Sequence, residues 1–316
     1  MPAGTQTKQL GWGVAAFGVA AILLTALLPV RAGAQEKGQK TFSSAQEACH
    51  AFVKAVQDND EQALIEMVGK SAKEIITSGD EAQDKRHREV FVKRYEEMHR
   101  LFKEPDGTTT IYVGADNWPL PIPLINKGNM WYFDGAAAKQ EILYRRVGRN
   151  EISTIRVCDQ LAKAENEYFD EYHVYASQIA SSGDKRDGLY WSGEPKSPIG
   201  PLIADADAGT KGTGAAPFRG YYFRVLTVQG KDADGGAKDY VSNGKMTAGF
   251  AIVAFPAAYR SSGVMTFTVG LNGLVYEKDL GKKTETKAKA MKSFNPDSSW
   301  HRAEEVQEAM NAQATK

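Results

Sequence analysis

The sequence predicts an α+β fold in two consecutive parts. Three observations support this prediction: an apolar N-terminal run, apolar residues at helical spacing over 45–102, and short β-type runs broken by turn residues over 249–281. About 280 residues follow the N-terminal run, more than a single core usually supports. We therefore expect a signal peptide at 1–34, α+β domains at 42–147 and 150–283, and a polar, partly helical tail at 284–316.

The N-terminal segment has the layout of a Sec-type signal peptide. Lys8 precedes an apolar run over 13–30, and small residues at 32–34 suit cleavage near Ala34 and Gln35. This layout predicts a periplasmic or secreted protein. The alternative is an uncleaved anchor, because about 20 apolar residues can cross a bilayer. We expect contact with a membrane only through such an anchor.

The charge balance argues against nucleic-acid binding. The chain has 39 basic and 39 acidic residues, so its formal net charge is zero. Binding to a polyanionic backbone usually requires a basic excess. We therefore expect no nucleic-acid partner.

The first part is expected to begin with helices. Ser44 and Glu47 have the spacing of a capping box, and apolar residues recur at helical spacing behind them. A longer helix is expected from Asp84 to Phe102, with these apolar side chains facing inward: Val90, Phe91, Tyr95, Met98 and Leu101 or Phe102.

Strands are expected next, over Thr109–Val113 and Met130–Phe133. The segment between them alternates prolines with apolar residues from Trp118 to Leu124, so it should form an edge strand or a polyproline-like wall. Helices followed by a curved sheet resemble the small cones of NTF2-like or cystatin-like folds.

The second part is expected to contain one helix and an antiparallel sheet. Gly148 should interrupt a short helical stretch, and Asn150 should cap a new helix from Glu151 to about Tyr172. The pair Asn272 and Gly273 predicts a hairpin, since a type I′ turn needs positive φ at both central residues.

Two cysteines, Cys49 and Cys158, could pair in an oxidising compartment. Both lie in helical patterns, where cysteine usually behaves as a small buried apolar residue. Two buried thiols and a disulfide therefore both remain open.

No sequence motif predicts chemistry. The chain lacks H-E-x-x-H, C-x-x-C, G-x-S-x-G and a P-loop. The acidic, glycine-rich turn at 232–236 resembles a calcium loop, but Asn243 stands where the loop requires glutamate. We predict no catalytic residue, metal ligand or cofactor.

Two functions of different classes follow. The first is a non-enzymatic module that binds an envelope protein or peptide through exposed aromatic residues. The candidates are Trp118, Tyr190, Trp191, Tyr221 and Tyr222. Their alternative role is to anchor loops in the core, as large aromatic side chains near Gly and Pro turns often do. The second function is a hydrolase-like or ligand-binding enzyme with a pocket in the N-terminal α+β domain.

Several motifs in fixed order resemble one family. They are WPLPIPL (118–124), RRVGRNEI (145–152), DGLYW (187–191), SPIGPL (197–202), GYYF (220–223) and SGVMTFTVGLNGLVYEKDLG (262–281). Together they resemble the bacterial domain-of-unknown-function family 2950. The resemblance implies an exported protein with no assigned activity and supplies no catalytic residues.

The C-terminal half also looks like the head of a type IV pilin-like protein. The similarity lies in a helix containing Glu165 and Tyr168, followed by the GYYF strand and the final hairpin. In a pilin the apolar assembly helix leads directly into the head. Here a long folded segment intervenes, so the resemblance implies the architecture without assembly into a pilus.

Overall fold

The computed structural model describes residues 35–183, 185–209 and 211–303. The expected signal peptide and the end of the expected tail lie outside the described residues. The helices are α1 (Ala45–Gln57), α2 (Glu61–Val68), α3 (Glu81–Glu97), α4 (Gly135–Tyr172), α5 (Pro201–Ala204) and α6 (Thr284–Ala290), with 3-10 turns at Lys70–Ile75 and Gly212–Gly214.

The strands form several small sheets. Those of the first part are β1 (His99–Lys103), β2 (Thr109–Val113), β3 (Trp118–Pro119), β4 (Leu124–Lys127) and β5 (Met130–Phe133). Those of the second part are β6 (Gln178–Ala180), β7 (Gly188–Tyr190), β8 (Tyr221–Leu226), β9 (Val228–Gln229), β10 (Lys238–Asp239), β11 (Val241–Ser242), β12 (Lys245–Met246), β13 (Ala251–Pro256), β14 (Thr266–Gly270), β15 (Val275–Lys278), β16 (Ser293–Phe294) and β17 (His301–Arg302). The expected α+β class is confirmed.

The first part packs α1 and α2 against an antiparallel sheet of order β1-β2-β4-β5, with β3 on β2. Its buried apolar cluster runs from Phe42 to Ala138. The α1 cap forms as expected, because the Ser44 hydroxyl accepts the Glu47 N–H at 3.1 Å. The Glu47 carboxylate, however, reaches back to the N–H of Ser43 at 2.8 Å.

The predicted helix from Asp84 to Phe102 was wrong in its last turn. Helix α3 ends at Glu97, and the following residues form β1. The Gly114 N–H donates to the Met98 carbonyl at 2.9 Å, which starts the ladder with β2. Pairing with β2 therefore overrides local helical spacing. Of the two alternatives, Leu101 packs against the first core and Phe102 is 44% exposed, whereas Val90 and Met98, which were also predicted to face inward, are 58% and 40% exposed.

The predicted break at Gly148 was also wrong. Helix α4 runs without interruption through 38 residues, so the expected boundary at 147–150 falls inside one helix. A helical glycine costs about 1 kcal/mol relative to alanine, which contacts at both ends of a helix can outweigh. Asn150 does not cap a helix and instead donates to the Ser262 carbonyl at 2.8 Å.

The second part packs α4 on an antiparallel sheet of order β17-β15-β14-β13-β8. The hairpin between β14 and β15 forms as expected, but not through a type I′ turn. Gly273 has positive φ (68°), whereas Asn272 does not, and the Gly273 N–H donates to the Gly270 carbonyl at 2.9 Å. The loop is therefore a longer one that ends on glycine.

Residues 284–303 pack with the second part, and helix α6 agrees with the partly helical character expected from residue 284, but the segment is not a separate tail. Strand β16 pairs in parallel with β9, and β17 pairs with β15. Phe294 is buried against the second apolar cluster, which runs from Ile155 to Ala303. Within the described ranges, no helix combines the length and apolar content needed to cross a bilayer.

Candidate binding surface

Two of the five predicted aromatic residues belong to the second core. Trp191 is buried and donates its indole N–H to the Pro195 carbonyl at 2.7 Å. Tyr221 is fully buried, and its hydroxyl donates to the Met265 carbonyl at 2.9 Å. Trp191 and Tyr221 therefore have the alternative role predicted for them, that of core anchors, and are not exposed binding residues: their rings fill the core, and their polar tips are satisfied by backbone carbonyls.

The other three aromatic residues are half-buried and lie in different sheets. Tyr222 on β8 packs against Phe255 with ring centroids 5.7 Å apart, and Tyr190 ends β7. Trp118 starts β3 in the first sheet and lies partly against the first core. The five residues therefore do not form one surface.

Trp118 is held in place by an arginine from α4. The Arg145 guanidinium carbon lies 5.5 Å from the Trp118 ring, and its Nη1 donates to the Pro119 carbonyl at 2.6 Å. Its Nε donates to Glu141 at 2.7 Å. This arginine ties the proline-rich segment to α4, so Trp118 acts mainly as a packing residue.

A more exposed aromatic group, which was not among the predicted site residues, lies on β1 and β2. We call Arg100, Phe102 and Tyr112 the aromatic–arginine face. Arg100 and Phe102 are two residues apart on β1 and so project to one side of the sheet. Tyr112 on β2 pairs directly with Arg100. Residues 98–102 were predicted to be helical. The strand alternation that places Arg100 and Phe102 on one side was the signal in the sequence that could have identified this group.

The aromatic–arginine face has a defined geometry. The Arg100 guanidinium carbon lies 4.8 Å from the Tyr112 ring and 5.5 Å from the Phe102 ring, and the two rings meet edge to face at 6.2 Å. The Arg100 Nε also donates to Asn117 Oδ1 at 3.0 Å. The guanidinium is thus fixed in direction while its neighbour Phe102 stays accessible.

Glu104 completes the polar rim of this face. The Tyr112 hydroxyl donates to its carboxylate at 3.0 Å. Partial burial, followed by this hydrogen bond, raises the pKa of Tyr112 above its usual value, so the phenol stays protonated.

Strand β1 is also an edge strand. Within the ranges that the structure describes, its ladder partner is β2, and no strand pairs on its other side. At the two ends of the ladder, the Met98 carbonyl accepts the Gly114 N–H, and the Glu104 N–H donates to the Thr108 carbonyl. In an antiparallel pair every second residue bonds to the partner strand, so the even-numbered residues of β1 direct their backbone N–H and C=O groups towards β2. The backbone groups of His99, Leu101 and Lys103 consequently point away from the sheet.

The cysteines provide neither a disulfide nor a reactive thiol. Cys49 lies in the first core and Cys158 in the second, and both are free. The disulfide alternative was therefore wrong. Burial raises the pKa of each thiol, which disfavours the nucleophilic thiolate.

Two clefts of the first part bear on the enzyme alternative. One cleft of about 400 Å³ is lined by α3 side chains that include Arg88, Glu89 and Lys93. A second, of about 270 Å³, is lined by Glu36 and Gln39, whose side chains are bonded to Ser71 and to the Phe133 carbonyl, respectively. No group of three or more potential metal-ligating residues occurs among the described residues.

The carboxyl group of Glu165 is buried in the second part of the chain. Glu165 is fully buried, and one of its carboxyl oxygens accepts the Ala176 N–H at 2.8 Å. Its other oxygen has no hydrogen-bond partner among the described residues. Burial raises the pKa of this carboxyl well above its usual value, although the Ala176 N–H opposes the effect. Glu165 lines neither of the two clefts described above.

Searches of curated proteins and of solved structures each returned no match to the chain. The likeness of the second part to pilin heads is accordingly not confirmed, and that of the first part to NTF2-like or cystatin-like cones stays a prediction. One family model, described as "Protein of unknown function (DUF2950)", matches residues 39–303. That match covers most of the chain and contains both cores, the aromatic–arginine face and the β17 strand. The chain therefore belongs to the DUF2950 family.

Proposed function

We propose that the protein is exported and acts as a non-enzymatic binding module, which engages an envelope protein or peptide through the aromatic–arginine face. The layout of residues 1–34 supports export, because a basic start, an apolar run and small residues are the features of a signal peptide.

The single observation that carries the proposal is the Arg100 guanidinium lying against two rings, one of them 44% exposed. Arginine and aromatic side chains are enriched among the residues that dominate binding energy. A guanidinium already fixed by Asn117 and Tyr112 loses little freedom when a partner docks, which improves affinity.

The test is capture of a binding partner with matched variants. Protein expressed from the full 316-residue sequence, with a C-terminal tag, is crosslinked in the cell envelope and purified. Phe102→Ser removes the exposed ring of the face. Leu202→Ser is the control, because Leu202 is 66% exposed and lies in the second part of the chain.

We expect the same envelope component to be recovered with the wild type and with Leu202→Ser. With Phe102→Ser, recovery should fall at least tenfold at unchanged melting temperature. Equal recovery with all three proteins would refute the proposed surface. Recovery of the protein only from the cytoplasm would refute export.

A further inference from the structure

We propose that the partner is an extended, acidic peptide segment that adds to the first sheet as a new strand beside β1. This inference rests on the proposed function and specifies the chemistry of its partner. It concerns the backbone edge of β1, whereas the proposed function concerns the side chains on one face of the sheet.

In the described part of the chain, the outer edge of β1 has backbone groups that are free to pair with an added strand. His99, Leu101 and Lys103 direct their N–H and C=O groups away from β2. These outward backbone groups occur at every second residue, which is the spacing that pairing with another strand requires. An extended peptide can pair with such an edge through its main chain, and adjacent side chains then provide selectivity.

The outer edge of β1 differs from two other borders of the five-stranded sheets, those of β5 and β8. On β5, Phe42 and Trp131 exchange two backbone hydrogen bonds, at 2.9 Å and 2.8 Å. On β8, the Phe223 carbonyl accepts the Ala208 N–H, and the Phe223 N–H donates to the Ala206 carbonyl, both at 2.9 Å. Both borders are thus occupied by neighbouring segments, whereas no segment of the described chain pairs with the outer edge of β1.

Charge complementarity identifies the partner as acidic. Strand β1 contains Arg100 and Lys103 and no acidic residue. The nearest carboxylate along the chain, that of Glu104, is already bonded to the Tyr112 hydroxyl. Arg100 and Lys103 project to opposite sides of β1. An added strand with Glu or Asp on the Lys103 side would place opposite charges beside that cation, which favours association and selects against basic peptides.

The aromatic–arginine face would contact the side chains of such a strand. Phe102 projects from the outer side of β1. A side chain on the same side of the added strand, opposite Phe102, would therefore lie beside its ring. Lys103 projects to the opposite side of β1 from Phe102, so an alternating peptide can place its acidic residues beside Lys103 and its apolar residues beside Phe102.

The experiment uses the full chain and a fluorescent ten-residue peptide of alternating glutamate and valine. The control peptides are one of alternating lysine and valine, and the glutamate peptide with N-methyl groups on every second amide. Binding is measured by fluorescence anisotropy. We expect the glutamate peptide to bind at least tenfold more tightly than either control.

Two variants of one residue separate the backbone from the charge. Lys103→Pro removes an N–H that points away from β2, which an edge strand tolerates. Lys103→Gln removes the charge and keeps the N–H. We expect Lys103→Pro to weaken peptide binding at least tenfold and Lys103→Gln to weaken it less. Hydrogen exchange should show slower exchange at His99, Leu101 and Lys103 when the peptide is bound.

The outcomes distinguish the two proposals. If Phe102→Ser abolishes envelope capture but Lys103→Pro does not affect it, the face is correct and strand addition is refuted. Failure of the glutamate peptide to bind, or equal binding of the lysine peptide, would refute the acidic added strand. Envelope capture that is unaffected by either variant would overturn both proposals.

Discussion

Replacing Glu165 by glutamine should change how the stability of the protein depends on pH. The carboxyl of Glu165 is fully buried, and burial raises its pKa well above its usual value. The folded protein therefore keeps the proton at pH values where the unfolded chain has lost it. Glutamine has a similar shape, can still accept the Ala176 N–H, and does not titrate.

The sign and magnitude follow from proton linkage. The carboxyl of Glu165 has a raised pKa in the folded state. At pH values below 4.5, its usual pKa, the carboxyl is protonated in both the folded and the unfolded chain and does not lower the free energy of unfolding. Above that pH, the free energy of unfolding of the wild type falls by about 1.4 kcal/mol per pH unit, until the folded pKa is reached. Glutamine lacks this contribution, so Glu165→Gln should gain stability relative to the wild type at that rate.

The assay is urea unfolding of both proteins at half-unit steps from pH 5 upward. The difference in free energy of unfolding between variant and wild type cancels the contributions of the other ionisable groups. Glu167→Gln is the control, because Glu167 is exposed on the same helix. A difference that stays flat with pH would show that Glu165 is ionised in the folded protein and refute the argument.

Three further predictions concern packing. Gly148→Ala should raise the free energy of unfolding by about 1 kcal/mol, because an added Cβ would meet nothing within 4 Å and alanine favours the helix; a loss in urea unfolding would contradict this. Gly263→Ala should lower it by about 1–3 kcal/mol, since the Cβ would lie 2.0 Å from the buried Tyr221 hydroxyl; an unchanged melting temperature would contradict this. Cys49 and Cys158 should react with a thiol-specific disulfide reagent only after unfolding, and rapid labelling of the native protein would disprove their burial.

Elements set by local chemistry could be predicted from the sequence. The Ser44 cap depends on residues three apart, and the β14–β15 hairpin depends on a turn flanked by apolar strands. The exact turn could not be predicted, because the same Asn272 and Gly273 pair also suits a longer loop in which glycine alone takes positive φ.

Elements set by distant partners could not be predicted. Residues 98–103 suit a helix and a strand equally, and pairing with Thr109–Val113 decides between them. Strand β16 has two residues and pairs with β9, 65 positions earlier, so no local pattern reveals it. The expected break at Gly148 failed for a related reason, since α4 is held to the first part by Arg145 and to the second by Asn150.

The residues of the candidate surface could not be predicted for the same reason, because contacts between distant segments decide which side chains are exposed. Whether Tyr221 or Phe102 is exposed is decided by tertiary packing and not by either residue's neighbours in sequence. Tyr221 can be buried because its hydroxyl donates a hydrogen bond to the Met265 carbonyl, so its polar atom is satisfied inside the core. Phe102 lies on the outer side of a strand whose inner side, through Leu101, packs against the first core.

The cations of β1 have a second possible role, because charged residues on edge strands often prevent unwanted pairing between sheets. A protective charge is most effective when its side chain is free to project into the path of an approaching strand. Arg100 instead lies across Tyr112 and Phe102 and donates to Asn117, which leaves the edge open and an apolar ring accessible beside it. An accessible ring next to an open edge increases the risk of aggregation. The position of Arg100 therefore favours the proposed recognition of a specific strand over protection against strands in general.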